Sequence, residues 1–217
     1  SQVSHELRTP MTSIRSFAEI LADMPDANTD TARRFLGIIH EESERLTRLL
    51  DEILDLSFLE SGHVTLCIVP VNLGDVIERA LASSEGLLAK VPVEIVRDFG
   101  PDTPVVPGDF DRLAQVIINL ITNAVKYGDE EAPRIVISVG TADGMVHIDV
   151  HDNGPGIPEG RHEEVFMKFL RLGVGAKTGS AGLGLPISRE IMRNLGGDLK
   201  SLPDKDGATF RAELPLA

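Results

Sequence analysis

A single cysteine, Cys67, stands among 217 residues, so no intrachain disulfide can form and a reducing compartment is the natural setting. Basic residues are also scarce. Twenty-one Lys and Arg against 34 Asp and Glu leave a formal charge of -13, with no surplus to neutralise a phosphate backbone, which argues against nucleic acid as a partner. No apolar run approaches the roughly 18 residues a membrane-spanning helix requires, and no signal peptide opens the sequence. Internal repeats and low-complexity tracts are lacking, and His40, His63, His147, His151 and His162 have no metal-ligand spacing, so they read as structural or surface residues. His151 adjoins Asp152 and is the one with a route to a pocket. The acidity reads as simple solubility.

What is present is an ordinary hydrophobic content of 42%, enough for one domain or two modest ones. Val3, Leu7, Met11, Ile14, Ala18 and Leu21 recur at spacings of three and four and mark one apolar stripe on a first helix. Residues Met24 to Asn28 break it, and Thr29-Asp30-Thr31 offers caps for a second helix. Phe35, Ile39, Glu42, Leu46, Leu49, Ile53 and Leu56 then follow a heptad rhythm that only Glu42 interrupts, closed by Ser61-Gly62. A lone hairpin buries little, so two copies are expected to form a four-helix bundle; packing of the hairpin back on the following domain is the alternative.

Ser4-His5-Glu6-Leu7-Arg8-Thr9-Pro10 lies on the first helix. His5 falls off the apolar stripe and is expected to face solvent beside a carboxylate, and Pro10 implies a kink. Ser1 directly precedes this motif with no cap or turn, so the natural protein is expected to extend upstream, where a sensor or membrane anchor would lie.

The remainder, residues 62–217, reads as one α+β sandwich with helices on one face of its sheet. Strands are expected over Val64 to Val69 (with Cys67 buried in it), at Val91, Val93 and Ile95, at Ile135 to Val139, at Val146 to Val150 and from Ala208 to Leu214. Helices are expected over Leu73 to Leu88, Phe110 to Tyr127 and Leu183 to Leu195, with Pro101 to Gly108 a connection.

Three clusters carry chemistry. On the long helix, Asn119 and Asn123 share a face with Lys126 and Tyr127 a turn on, opposite a core face of Leu113, Val116, Ile117, Leu120 and Ala124. Amide oxygens suit a hard cation and lysine suits phosphate. Asp152-Asn153-Gly154-Pro155-Gly156-Ile157-Pro158 follows a strand, and an acceptor carboxylate beside close-approach glycines suits a base with an exocyclic amine. Gly182-Leu183-Gly184-Leu185 opens a helix, where backbone N–H groups can approach phosphate. Between the last two lies Glu159 to Ala181, with Phe166, Phe169 and the cations Lys168, Arg171 and Lys177, a segment suited to a lid.

These motifs resemble those of the sensor histidine kinases. SHELRTP is similar to the phosphoacceptor box, Gly108 to Tyr127 to the N box, DNGPGIP to the first glycine box, FMKFLR (Phe166 to Arg171) to the phenylalanine box, and GLGL to the second glycine box, in the family's order. The resemblance implies a dimerisation and phosphotransfer hairpin, residues 1–61, followed by a Bergerat-type ATP-binding domain, residues 62–217. It implies that His5 accepts the γ-phosphoryl group of ATP with Glu6 as general base, and that Thr9 serves dephosphorylation of a partner regulator. Asn123 would coordinate Mg²⁺, Asn119, Lys126 and Lys168 would line the phosphate region, and Tyr127 the nucleotide's edge. Asp152 would bind the adenine amine, with Gly154, Gly156, Ile157, Gly182, Leu183, Gly184 and Leu185 shaping the pocket and Arg171 reaching the γ-phosphate. The implied partners are a second copy of the chain and the receiver domain of a response regulator, in the cytoplasm, with any membrane contact made upstream. Ser180-Ala181 and Pro186 depart from the family's usual Gly-Thr and alanine. Two other readings, a nucleotide-binding scaffold without turnover and an ATPase of the gyrase or chaperone kind, fit less well: His5, Glu6 and Asn123 are intact, and that second class has a glutamate where Asn119 stands and lacks the hairpin.

Overall fold

The computed structural model describes residues 2–24, 29–62, 64–129, 131–170 and 181–216. Two antiparallel helices come first, α1 (Gln2–Ala22) and α2 (Asp30–Glu60), held near their turn by Phe17 and Phe35, whose ring centroids lie 5.1 Å apart. Thr29 caps α2 by accepting the Ala32 N–H at 3.2 Å, which satisfies one of the donors a helix N-terminus leaves over. Pro10 is accommodated inside α1 as its one buried residue, without interrupting the helix.

The second half of α2 belongs to two structures at once. Leu49, Leu56 and Leu59 are buried and continuous with the core of the following domain. Leu36, Leu50, Leu54 and Phe58 stay exposed along the helix, as does Met11 on α1. Both expectations for the hairpin's apolar residues therefore have a physical place: one set packs back on the domain, and another is left for a partner. Polar contacts reinforce the first set. Arg112 Nη1 donates to both oxygens of Asp55 (2.8 and 2.9 Å), Gln115 Nε2 donates to Asp55 Oδ2 (3.0 Å), and Lys168 Nζ donates to Glu60 Oε2 (2.7 Å).

The domain that follows contains β1 (Val69–Asn72), α3 (Leu73–Ser83), α4 (Glu85–Leu88), β2 (Glu94–Asp98), β3 (Val105–Gly108), α5 (Phe110–Tyr127), β4 (Arg134–Ala142), β5 (Met145–Asp152), a short 3-10 turn at Glu164–Phe166, α6 (Gly184–Asn194), β6 (Asp198–Leu202) and β7 (Ala208–Pro215). Five strands form a mixed sheet in the order β2-β4-β5-β7-β6, with β2 parallel to β4 and the other pairs antiparallel; β1 and β3 pair separately. One face of the sheet is apolar: Ile135 and Ile137 on β4, Val146, Ile148 and Val150 on β5, and Phe210, Ala212 and Leu214 on β7 are all buried. Beneath them lie Leu113, Val116, Ile117, Leu120 and Ala124 of α5 and Ile187, Ile191 and Met192 of α6. The opposite face carries His147, Asp149 and His151 and is open to solvent. This is the α+β sandwich with helices on one face that alternation on β5 and β7 predicts.

Several local expectations are corrected. The strand expected over Val64 to Val69 starts only at Val69, and Cys67 is exposed, not buried; its N–H donates to Asp109 Oδ2 at 2.9 Å. That same carboxylate caps α5 by accepting the Arg112 N–H at 3.1 Å, so the apolar run 64–68 is a tether between α2 and α5 with no strand neighbour. The helix expected over Leu73 to Leu88 breaks at Ser84 into α3 and α4. Val91 lies in a turn ahead of β2, and the connection Pro101 to Gly108 contains β3. Strand β6 had no expectation at all, because Asp198-Leu199-Lys200-Ser201-Leu202 alternates weakly and only Leu199 is buried.

Candidate active site

Helix α5 presents its polar face to the end of the sheet where β5 stops, and α6 starts beside it. Between them lies a cavity of about 150 Å³ lined by Asn123 and Tyr127 of α5, Asp152, Pro155, Gly156, Ile157 and Pro158 of the turn after β5, Val165 and Leu170 before the second glycine motif, Leu185 of α6, and Ala208 and Phe210 of β7. Two walls are apolar and flat. Asp152 is the charged group at the bottom, only 4% exposed. Burial pushes its carboxyl above the usual range, opposed by the Gly154 N–H, which donates to Oδ1 at 2.9 Å, and by nearby His151. A buried carboxylate with lone pairs left over, in an apolar slot, needs a donor to receive, and a planar heterocycle bearing an amine supplies one.

The glycines of the turn permit its close packing. Gly154 lies against Tyr127, where a Cβ would sit 2.2 Å from the carbonyl oxygen, and Gly156 adopts φ +73°. Asn119 is turned away from the cavity: its Nδ2 donates to Ser188 Oγ at 2.8 Å, and its amide packs on Gly184. Asn123 lines the cavity, and its amide has no hydrogen-bond partner among the described residues, which leaves its carbonyl oxygen available to a hard cation. Lys126 lies over the Tyr127 ring, 4.9 Å from its centroid, at the cavity's edge.

The Gly182 carbonyl oxygen accepts the Phe169 N–H at 3.0 Å. Phe169 has φ +62° and Gly182 φ +72°. Leu183 is buried in the core and Gly184 packs on Asn119, so Leu185 is the part of that motif lining the cavity. Lys168, expected near phosphates, is engaged with Glu60 of α2. Arg171 and Lys177 lie outside the described residues. Of the other histidines, His162 Nδ1 lies 2.8 Å from Ser201 Oγ, His40 pairs with Glu44, His147 sits over Gly140, and His63 lies outside the described residues.

His5 is exposed on α1, and Thr9 Oγ1 donates to its carbonyl oxygen at 3.2 Å. Neither lines the cavity around Asp152. A smaller one, about 30 Å³, is lined by Glu6 of α1, Arg45, Arg48, Leu49 and Glu52 of α2, and Ala181 just before Gly182. The helix bearing the imidazole thus meets Ala181, two residues ahead of Leu183, the residue before α6.

Sequence reasoning missed Val165, Leu170, Ala208 and Phe210. The signal for the last two was there, because β7 alternates in phase with β5: Phe210 pairs with Val150 and Ala208 with Asp152. It also missed Arg189, which lies 4.4 Å over the Phe166 ring and binds both Glu163 (2.7 Å) and Asp198 (3.1 Å), while Phe166 meets Phe210 edge-on. This stack fixes the apolar wall from behind.

Comparison with known proteins agrees with this architecture. Residues 108–217 match the model of the histidine kinase-, DNA gyrase B-, and HSP90-like ATPases, and residues 1–62 that of the His Kinase A (phospho-acceptor) domain. The chain is 34% identical over 220 residues to the sensor histidine kinase WalK of Bacillus subtilis (strain 168), covering 99% of this chain and 36% of that protein. It is 32% identical over 219 residues to the sensor histidine kinase MtrB of Mycobacterium leprae (strain TN), covering 100% and 39%. It therefore spans somewhat over a third of the length of these curated relatives. Among solved structures, the histidine kinase AdeS of Acinetobacter baumannii superposes with a TM-score of 0.80 at 24% identity, covering 98% of each chain. The histidine kinase ThkA, in complex with the response regulator protein TrrA, superposes with a TM-score of 0.78 at 25% identity over 99% of this chain and 60% of that one. The chain belongs to the sensor histidine kinases.

Proposed function

We propose that residues 1–61 and 62–217 form the phosphotransfer hairpin and the ATP-binding domain of a protein-histidine kinase that phosphorylates His5. The observation that carries this reading is the coexistence of a buried, hydrogen-bond-accepting Asp152 in a largely apolar cavity with an exposed His5, followed by a half-buried Glu6, on a helix that shares a smaller cavity with Ala181 ahead of the second glycine motif. The substrate is MgATP. The adenine amine donates to Asp152, its ring lies between Ile157, Leu185 and Phe210, and Tyr127 borders its edge. The Asn123 carbonyl oxygen reaches the Mg²⁺ that accompanies the phosphates, and Lys126 adds charge there. Asn119 acts through Gly184 and Ser188 by fixing the start of α6, where the backbone approaches phosphate.

An imidazole nitrogen of His5 attacks the γ-phosphorus, the bond from that phosphorus to the bridging oxygen breaks, and ADP leaves; a metal held by Asn123 would supply charge neutralisation on the phosphates. Glu6 takes the proton from the other ring nitrogen, help typically worth about 10²–10⁴-fold. The resulting N–P bond is suited to passing the phosphoryl group to an aspartate of a response regulator, and the relative solved with its regulator supports this. Thr9, one turn from His5, would serve hydrolysis of the phosphoryl group from that aspartate. The exposed Leu36, Leu50, Leu54 and Phe58 support a homodimer through the hairpin. No described helix is long and apolar enough to cross a membrane, and the proposed location of this part is cytoplasmic, with any anchor upstream.

The test is incubation with γ-labelled ATP and Mg²⁺. The wild type gains an acid-labile, base-stable label, and His5→Gln gains none while still binding ADP. Equal labelling of the two would eliminate His5 as the nucleophile.

A further inference from the structure

Asp152 and His151 are neighbours on β5, so alternation sends them to opposite faces: Asp152 into the cavity and His151 to the open face of the sheet. There the imidazole enters a compact network. His151 Nδ1 lies 3.0 Å from Thr209 Oγ1 and 3.1 Å from Asp204 Oδ2, and Thr209 Oγ1 donates to that same Asp204 oxygen at 2.7 Å. Asp204 Oδ1 accepts the Asp206 N–H at 3.0 Å. The Thr209 hydroxyl and the Asp206 N–H hold the Asp204 carboxyl below the ordinary range, so it is an anion that only accepts. Thr209 has one hydroxyl proton and gives it to Asp204. The proton between His151 and these oxygens is therefore the imidazole's own, and Nδ1 donates.

Asp204 belongs to the turn joining β6 and β7, and that turn packs against residues that line the cavity, Gly207 lying against Gly156 and Asp152. Gly207 packs so closely on β5 that a Cβ would lie 1.7 Å from the Asp152 carbonyl oxygen, with φ +152°. The next residue, Ala208, pairs with Asp152 in register and lines the cavity. Whatever holds Asp204 against β5 holds the backbone that places Asp152 and Ala208 around the base.

We propose that His151 and Asp204 are positioning residues of the nucleotide cavity, clamping the 203–207 turn to β5, so that adenine-nucleotide affinity depends on a network that does not touch the nucleotide. The proposal rests on the reading of Asp152 as the acceptor for the adenine amine. Other charged groups on the open face are engaged elsewhere: Asp149 with Arg211 through two 2.7 Å bonds, and Arg134 on the adjoining strand with Glu94 at 3.2 Å. Asp204 is the anion in contact with the ring.

The experiment titrates ADP into the whole chain and its variants at one pH. His151→Leu removes the donor to Asp204 and should weaken ADP binding about two- to fivefold, the size expected of one partly exposed polar contact. Asp204→Ala should weaken it to a similar degree, the double variant should be no weaker than either single one, and His151→Gln, which keeps an N–H donor, should recover part of the loss. If His151→Leu binds ADP as the wild type does, or if the two losses simply add, the clamp is overturned. Asp152→Asn tests the underlying reading separately by abolishing ADP binding; should that variant fail to fold, a wild type that binds GDP as well as ADP would reject the reading instead.

Discussion

Gly184→Ala adds one carbon atom where α5 and α6 touch, and the structure allows its cost to be worked out. The new Cβ would sit 2.2 Å from Asn119 Oδ1 and 2.9 Å from both Cγ and Nδ2. These atoms end a short side chain that is itself held, because Nδ2 donates to Ser188 Oγ at 2.8 Å and Ser188 is 1% exposed. Asn119 can yield only by leaving its rotamer, about 0.5–1.5 kcal/mol, and by giving up that hydrogen bond, about 0.5–1.5 kcal/mol. Alanine at the first position of α6 returns a few tenths at most, since the helix-interior advantage over glycine is about 0.5–1 kcal/mol. The net cost is about 1–3 kcal/mol. The displaced amide moves toward the phosphate side of the cavity, so ADP affinity should fall by roughly tenfold or more. Urea unfolding of the transition that ADP shifts, together with ADP calorimetry, reads both quantities. Gly37→Ala is the control: nothing lies within 4 Å of its added carbon, and a helical alanine there should leave stability equal or raise it by up to about 1 kcal/mol. If Gly184→Ala binds ADP and unfolds like the wild type, the contact with Asn119 does not shape the site.

Two more outcomes follow from charge placement. Burial pushes the Asp198 carboxyl up, but the Arg189 guanidinium and the Leu199 N–H outweigh it and leave the group below its ordinary range; its stabilisation is therefore present above the unfolded value of about 4 and is lost as pH falls through the lower folded one, so Asp198→Asn should unfold at lower urea at neutral pH and lose less on acidification below about pH 4. Asp55→Ala removes the acceptor shared by Arg112 and Gln115 and should cost about 1–3 kcal/mol locally, seen as faster amide exchange over the last two turns of α2 with ADP affinity little changed; unaltered exchange there would show that apolar packing alone docks the hairpin.

Legibility in the sequence followed the strength of local patterns. The amphipathic stripes of α1, α2 and α5 and the alternation of β5 and β7 are long enough to declare both element type and buried face, and Asn123, Tyr127, Asp152, Gly156, Ile157 and Leu185 do converge on one cavity. Short elements were obscure for a common reason. Apolar residues 64–68 have the composition of a strand but no neighbouring strand to bond to, because the Asp109 carboxylate takes the Cys67 N–H. β6 exists because β7 offers it a ladder, not because its own five residues alternate. Lys168 was assigned by motif, yet Glu60, 108 residues earlier, occupies it.

The chain's own pattern of residues determined that a histidine-bearing hairpin precedes a sandwich of helices on a sheet, and which side chains face its core, because hydrophobic periodicity and capping act over a few residues. Tertiary structure alone decided which end of α2 packs into the domain, that β7 walls the cavity with the turn before it packed behind, and that His151 stands behind Asp152 rather than within the site. Those outcomes depend on strand order and on contacts between residues dozens of positions apart, to which no local pattern is sensitive.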